Sequence, residues 1–205
     1  MKPDDALTLL DYKRAIFSLY AEVRAARDPR VAWERWKTVR GGLFIGHPQS
    51  PVPESKRSSF TGPHYFDYDP ALRVLANVEA ADEKRYDIAT SGDGSYRFTR
   101  FARAQFRIEG REAALECYWL QGYGGGLFLP FRDATAPGET YGAGRYLLDT
   151  VKGADLGMVG GQLVLDFNFA YNPSCAYDPK WVCPLAPPPN RLDFAIPAGE
   201  RYEAL

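Results

Sequence analysis

Cysteine, histidine and methionine are scarce in this 205-residue chain, which carries three, two and two of them, and neither sign of charge is in excess. Three cysteines, Cys117, Cys175 and Cys183, are too few and odd in number for a secreted disulfide framework, so reduced thiols are expected. With 25 basic against 26 acidic residues the net charge is -1. That balance lacks the basic footprint by which proteins release counterions from nucleic acid, and neither nucleic acid nor an anionic membrane is expected as a partner. No apolar run is long enough to span a bilayer, and the start Met1-Lys2-Pro3-Asp4-Asp5 has no secretory pattern, so a cytoplasmic protein is expected.

Several catalytic signatures are missing too. There is no G-x-S-x-G elbow and no phosphate-binding P-loop, and Gly122-Tyr123-Gly124-Gly125-Gly126 lacks the strand-turn-helix setting of a dinucleotide fingerprint. Cys175 and Cys183 have seven residues between them and neither histidine close by, so no metal site is expected.

What is abundant is aromatic: 13 Tyr and 12 Phe within a 14% aromatic content suit sheet faces better than a helical bundle. Leu9, Tyr12, Ile16, Leu19 and Val23 form one helical stripe, whose start Asp4 or Asp5 can cap. Asp28-Pro29 then opens a second helix, which Gly41-Gly42 should close, with Trp33 and Trp36 as docking residues. Residues 1–45 are accordingly a helical extension and 46–205 a β-rich domain. From Gly46 to Pro70, Pro, Ser and Gly predict an irregular but packed connection, since Phe60, Tyr65, Phe66 and Tyr68 lie in it.

Strands are expected at Arg73–Val78, Arg85–Thr90, Tyr96–Phe101, Gln105–Ile108, Ala113–Leu120, Leu127–Phe131, Gly144–Leu148 and Gln162–Phe169. Turns at Asp93-Gly94 and Glu109-Gly110 join some of them. The fold class is mainly β: an antiparallel meander forming a small barrel-like or sandwich domain, with the helices outside it. The stretch from Asn172 to Asn190 is too proline-rich for a helix or central strand, and Tyr171, Tyr177 and Trp181 can pin it as a lid over a cavity or a cover on a sheet edge.

Candidate site residues come from three places. His47 and His64 have the side chains that titrate near neutrality, and each sits beside proline. His47, with Ser50 close behind and prolines holding the backbone, is the better functional candidate; hydrogen bonding to loop backbone is the alternative. Arg145, beside Gly142 and Gly144, can offer a planar fork to a ligand anion, or pair with Asp133 or Glu139. On an extended reading of 165–173, Asp166 and Asn168 share a polar face that would line a lumen or meet solvent, and Asn172 follows.

These strings resemble a family of bacterial and archaeal proteins catalogued only as a domain of unknown function. The likeness is carried by Phe131-Arg132-Asp133-Ala134-Thr135, Glu139-Thr140-Tyr141-Gly142 with Gly144-Arg145-Tyr146-Leu147, Leu165-Asp166-Phe167-Asn168 with Ala170-Tyr171-Asn172-Pro173, and Cys175-Ala176-Tyr177. Cys183-Pro184, Pro188-Pro189-Asn190-Arg191-Leu192 and the upstream His47-Pro48 with Ser50-Pro51 complete it. The resemblance carries no activity over to this chain and leaves the cofactor unknown.

The expectation drawn from the residues is a small-molecule-binding β-barrel-like domain. His47, Ser50, Arg145, Asp166, Asn168 and Asn172 are its candidate ligand-binding residues, and the pocket is closed by the proline-rich tail and the His47 loop. An enzyme using the same pocket is the alternative, with His47 or a desolvated Asp166 moving a proton; one version, by fold analogy alone, is a flavin-binding split-barrel oxidoreductase. A third is a homo-oligomeric module joined through the helical stripe.

Overall fold

The computed structural model describes residues 2–204. Helix α1 (Pro3–Ala25) packs on α2 (Pro29–Gly46). Neither Asp4 nor Asp5 caps α1: Pro3 takes a first-turn position, where its missing N–H costs nothing, and this makes Lys2 the N-cap and leaves both aspartates in the first turn against the helix dipole. Asp28 does cap α2, its Oδ1 accepting from the amides of Arg30 at 2.8 Å and Val31 at 3.4 Å.

Gly41-Gly42 does not end α2, which continues to Gly46 with His47 as C-cap. Each glycine disfavours helix by about 1 kcal/mol, but the next turn carries Leu43 and Phe44 onto apolar neighbours, and burying two large side chains outweighs that. The stripe on α1 faces inward: Ile16, Leu19 and Tyr20 are buried in the same core as Trp33 and Trp36 of α2. Leu19 and Val23, which the oligomer expectation needs at a surface, pack against this core, and Leu7, Leu9, Leu10 and Phe17 are the exposed large apolar residues of α1, so the stripe faces inward only beyond its first member.

The strands are β1 (Arg73–Ala89), β2 (Ser95–Ile108), β3 (Arg111–Leu120), β4 (Gly126–Phe131), β5 (Arg145–Asp149), β6 (Met158–Val159) and β7 (Gln162–Asp166). They form one antiparallel sheet in the order β5-β4-β3-β2-β1-β7-β6. The four short strands expected between 73 and 108 are thus two long ones. The β1 register slips between Ala80 and Lys84, where the Arg100 guanidinium donates to the Asp82 carbonyl at 2.8 and 3.2 Å and holds the irregularity in place. Glu109 and Gly110, both at positive φ, make the tight β2–β3 turn.

The sheet curls without closing through continuous pairing. Beyond β7, Tyr171 exchanges backbone hydrogen bonds with Tyr146 of β5 at 2.9 and 3.0 Å, a single bridge between the far ends. Inside the curl Phe167 meets Phe106 of β2 at 5.6 Å and Phe131 of β4 at 5.1 Å, ring centre to ring centre, with Leu115, Leu129, Leu147 and Leu165 buried around them. This interior is packed core, so the lumen expected behind Asp166 and Asn168 is filled by side chains.

The segment after β7 departs from its expected strand. Asp166 Oδ1 accepts from the Asn168 amide at 3.1 Å and turns the chain into a short 3-10 helix, Phe167–Phe169, which ends the alternation of faces. The proline-rich tail then covers an edge: the Asn190 side chain bonds the amide and carbonyl of Glu116 on β3 at 2.8 and 3.0 Å and the Pro130 carbonyl at 2.7 Å.

Candidate functional site

The C-terminal segment reaches back into the protein at Gly199-Glu200-Arg201. It pairs with the 64–66 segment on one side, through Phe66 N to Gly199 O at 3.0 Å and Arg201 N to His64 O at 2.8 Å, and with Ala170 on the other, through Glu200 N at 2.8 Å. Gly199 has φ +74, and a Cβ there would lie 2.5 Å from the Ala170 carbonyl oxygen, so glycine is required by both conformation and space.

This pairing plants the Glu200 side chain, fully buried, beneath α2. Its Oε2 accepts from Arg40 Nη2 at 2.6 Å and from the Asn172 amide at 3.2 Å. The Arg40 guanidinium stands 4.4 Å from the ring centre of Phe44, 4.8 Å from Tyr171 and 5.4 Å from Trp36, an aromatic surround for a buried cation. Burial pushes the Glu200 carboxyl up from its ordinary range, against the downward pull of Arg40. The Tyr65 hydroxyl, beside the same pair, is pushed well above its ordinary value by burial.

Hydrogen bonding here is incomplete. Of six buried side-chain polar atoms without a partner among the described residues, four belong to this cluster: Arg40 Nε, Tyr65 Oη, Asn172 Oδ1 and Glu200 Oε1. Two cavities border it at Asn172. The inner one, about 90 Å³, lies among Tyr12, Trp36, Arg40, Phe44, Tyr171 and Asn172. The outer one, about 240 Å³, is a groove whose wall includes Lys56, His64, Asn172, Tyr177 and Arg201. Asn172 stands in both walls.

Of the six residues singled out from sequence, Asn172 belongs to this cluster and the other five fall into three groups. Arg145 is fully buried and both terminal nitrogens are engaged, with Nε left without a partner: Nη2 reaches Asp133 Oδ1 at 3.1 Å and the Ile196 carbonyl at 3.1 Å, while Nη1 donates to the carbonyls of Ala198 and Glu200. Of the two roles open to it, pairing with Asp133 is the one observed. Gly144 beside it permits close approach to the Phe131 backbone, 2.6 Å from where a Cβ would sit, rather than to a ligand. Through the Glu200 backbone Arg145 adjoins the Asn172 cluster.

Asp166 and Asn168 form the second group. Asn168 clamps Asp69, accepting from its amide at 2.9 Å and donating to its carbonyl at 2.8 Å, and its own carbonyl accepts from Trp33 Nε1 at 2.9 Å. Asp166 Oδ2 has no hydrogen-bond partner, with Arg73 Nε 3.7 Å away, and the residue lines a separate groove of about 240 Å³ between the helices and β6–β7. Burial pushes its carboxyl up to about 6, against hydrogen bonds from Asn168 that pull the other way. A carboxyl whose folded value is raised binds its proton more tightly when folded. It therefore adds stability fully below the unfolded value of about 4, lost as pH climbs through about 6. Asp166→Asn is expected to flatten that fall, leaving the variant about 1–2 kcal/mol more stable than wild type at pH 8 and close to it at pH 4. Urea denaturation at the two pH values measures this; equal stability differences at both would contradict it.

His47 and Ser50 form the third group and serve the loop backbone. His47 Nδ1 accepts from the Gln49 amide at 3.0 Å, and buried Ser50 Oγ donates to the Phe44 carbonyl at 2.5 Å while accepting from the Val52 amide at 3.1 Å. All three cysteines are free and buried, and the Tyr141 hydroxyl lies 3.7 Å from Cys175 Sγ. A hydrogen bond from Cys183 is the main influence lowering the Cys175 thiol below its ordinary value. No three His, Cys, Asp or Glu side chains converge as a metal-ligand group among the described residues, and no helix there is long and apolar enough to cross a membrane.

A family model described as "Protein of unknown function (DUF1684)" matches residues 58–201. The chain belongs to the DUF1684 family. The matched span holds Arg145, Asp166, Asn172 and Glu200, while Arg40, His47 and Ser50 precede it. The solution NMR structure of an uncharacterized protein of Haloarcula marismortui is similar, at 36% identity and a TM-score of 0.61, over 83% of this chain and 92% of that one. No curated protein matches.

The residues that sequence reasoning missed are Arg40, Tyr65 and Glu200. Arg40 had a legible signal: Trp33, Trp36, Arg40 and Phe44 recur at spacings of three and four, which puts a cation on the buried stripe. Glu200 had none, because it is buried by a pairing between segments far apart in the chain.

Proposed function

We propose that this DUF1684 protein binds a small polar molecule at the junction of the outer groove and the inner cavity, with Asn172 as its central contact. The observation that carries this reading is the concentration of unpartnered polar atoms around the Arg40–Glu200 pair. A buried polar group without a partner costs about 1–3 kcal/mol, and natural folds rarely gather several unless a ligand or bound water completes them. The chemistry of the atoms narrows the ligand. Asn172 Oδ1 and Glu200 Oε1 are acceptors that call for hydroxyl donors, while Lys56 and Arg201 in the groove wall suit a carboxylate. A small hydroxylated carboxylic acid combines both. Thermal shift and calorimetry with glycolate, malate and gluconate on wild type and Asn172→Ala test this. The expected result is saturable binding to wild type, weakened about tenfold or more in the variant, the equivalent of at least about 1.4 kcal/mol. Equal responses from both proteins would remove Asn172 as a contact.

A second reading, an enzyme, is favoured by Asp166: a desolvated carboxyl with one unpartnered oxygen and a value of about 6, in a groove beside Arg73, has the properties of a proton-transfer group. The pH dependence expected for Asp166→Asn tests the ionisation on which that reading rests.

A further inference from the structure

A fourth cavity lies at the end of β5, around residues the two proposals above do not use. It measures about 230 Å³, and Tyr96, Phe98, Phe128 and Val182 form its apolar walls, with Asp149 and Lys152 also lining it. The walls are firm: Phe98 and Phe128 stack at 5.0 Å and belong to a second apolar cluster with Ile88, Tyr118 and Tyr146, separate from the main core. Tyr96 and Val182 remain substantially exposed at the rim.

The one carboxylate in the lining is unusual for such a place. Asp149, at the end of β5, has a side chain only 9% exposed, and its nearest cation, Lys152 Nζ, is 3.6 Å away, beyond hydrogen-bond length, on a side chain 60% exposed. Burial raises the Asp149 carboxyl above its ordinary range despite Lys152 and the more distant Lys13. The charge is thus weakly compensated, and a lysine held mostly in solvent is easily displaced from it.

We infer that this cavity is a binding site for a small molecule with an aromatic or branched apolar body and a primary ammonium head, the body seated against Phe98 and Phe128 and the ammonium on Asp149. An ammonium group would give Asp149 the short, charge-assisted hydrogen bond that Lys152 does not make. Aromatic walls reinforce the choice, since ring faces attract cations and repel carboxylates. An apolar surface without Asp149 would take any greasy molecule; the carboxylate is what selects the head group.

The test is calorimetric titration of the full chain with 2-phenylethylamine, 2-phenylethanol and 3-phenylpropionate, which share a ring and differ in the head. Saturable binding of the amine, at least tenfold tighter than the alcohol, with no binding of the carboxylate, is expected. Asp149→Asn should reduce the amine to the level of the alcohol. Val182→Trp, which fills the cavity from its exposed rim, should abolish amine binding while leaving the circular dichroism and melting temperature unchanged. It also decides the matter if Asp149→Asn fails to fold. Equal affinity for the three probes, no saturable amine binding, or undiminished binding by Val182→Trp would each overturn the assignment.

Discussion

Arg145→Met is expected to cost about 3–5 kcal/mol of stability, the range for removing one partner from a buried ion pair. The size of the loss follows from what the guanidinium holds together. Asp133 would keep the hydrogen bonds from Thr135 Oγ1 at 2.8 Å and the Ile196 amide at 2.7 Å, but would lose its compensating charge in a buried site. The carbonyls of Ile196, Ala198 and Glu200 would lose their common donor, and they belong to the segment that carries Glu200 under α2. Destabilisation should therefore be accompanied by local opening of residues 196–200. Urea denaturation gives the first quantity and amide hydrogen exchange the second. A loss below about 1 kcal/mol, the level of an exposed pair, would show that Arg145 is not a structural pin.

Arg40→Met is expected to cost a similar amount, about 3–5 kcal/mol, for a different reason. It leaves Glu200 charged beneath α2 with the Asn172 amide as its remaining donor. The aromatic surround of Phe44, Tyr171 and Trp36 accepts a methionine readily, since its unbranched thioether fills such spaces. Much of the loss is thus the stranded carboxylate rather than lost packing. The double variant Arg40→Met/Glu200→Gln should recover part of the stability, with a coupling energy of about 2 kcal/mol or more in a double-mutant cycle. Additive losses would mean that the two side chains do not act as a pair. Both Arg40 variants should also lose the ligand response proposed for Asn172, because the polar cluster is centred on this pair.

Much of the architecture was legible. The helices, both glycine turns, the antiparallel meander and the covering role of the tail follow from patterns a few residues long. Errors fell where distant contacts decided: α2 ran past Gly41-Gly42 because Leu43 and Phe44 find apolar partners, and β1 stayed whole because Arg100 on the next strand holds its irregularity. The site was legible in fragments. Asn172 is the one sequence candidate that stays at the proposed site; Arg145, Asp166 and Asn168 were placed with it in one lumen, whereas Asp166 and Asn168 turn the chain and Arg145 pins the C-terminal segment. Polar residues in a dense motif serve the fold and a ligand with the same hydrogen-bonding groups, and only their partners tell the two apart.

The dense polar and aromatic run from Glu139 to Asn190 illustrates the division. By itself the sequence determined which residues could not be ordinary surface: a strand with Arg145 inside it, an Asp and an Asn among phenylalanines, and a proline-rich tail too aromatic to float free. Tertiary structure alone decided what each one meets. Glu200 is the clearest case, a carboxylate near the end of the chain that becomes buried because Gly199 lets the backbone press against Ala170, and acquires a meaning because Arg40, 160 positions away, lies above it. Local propensity is written in neighbours along the chain, whereas a binding site is made by groups brought together after the chain has folded, and their desolvation has no counterpart in sequence.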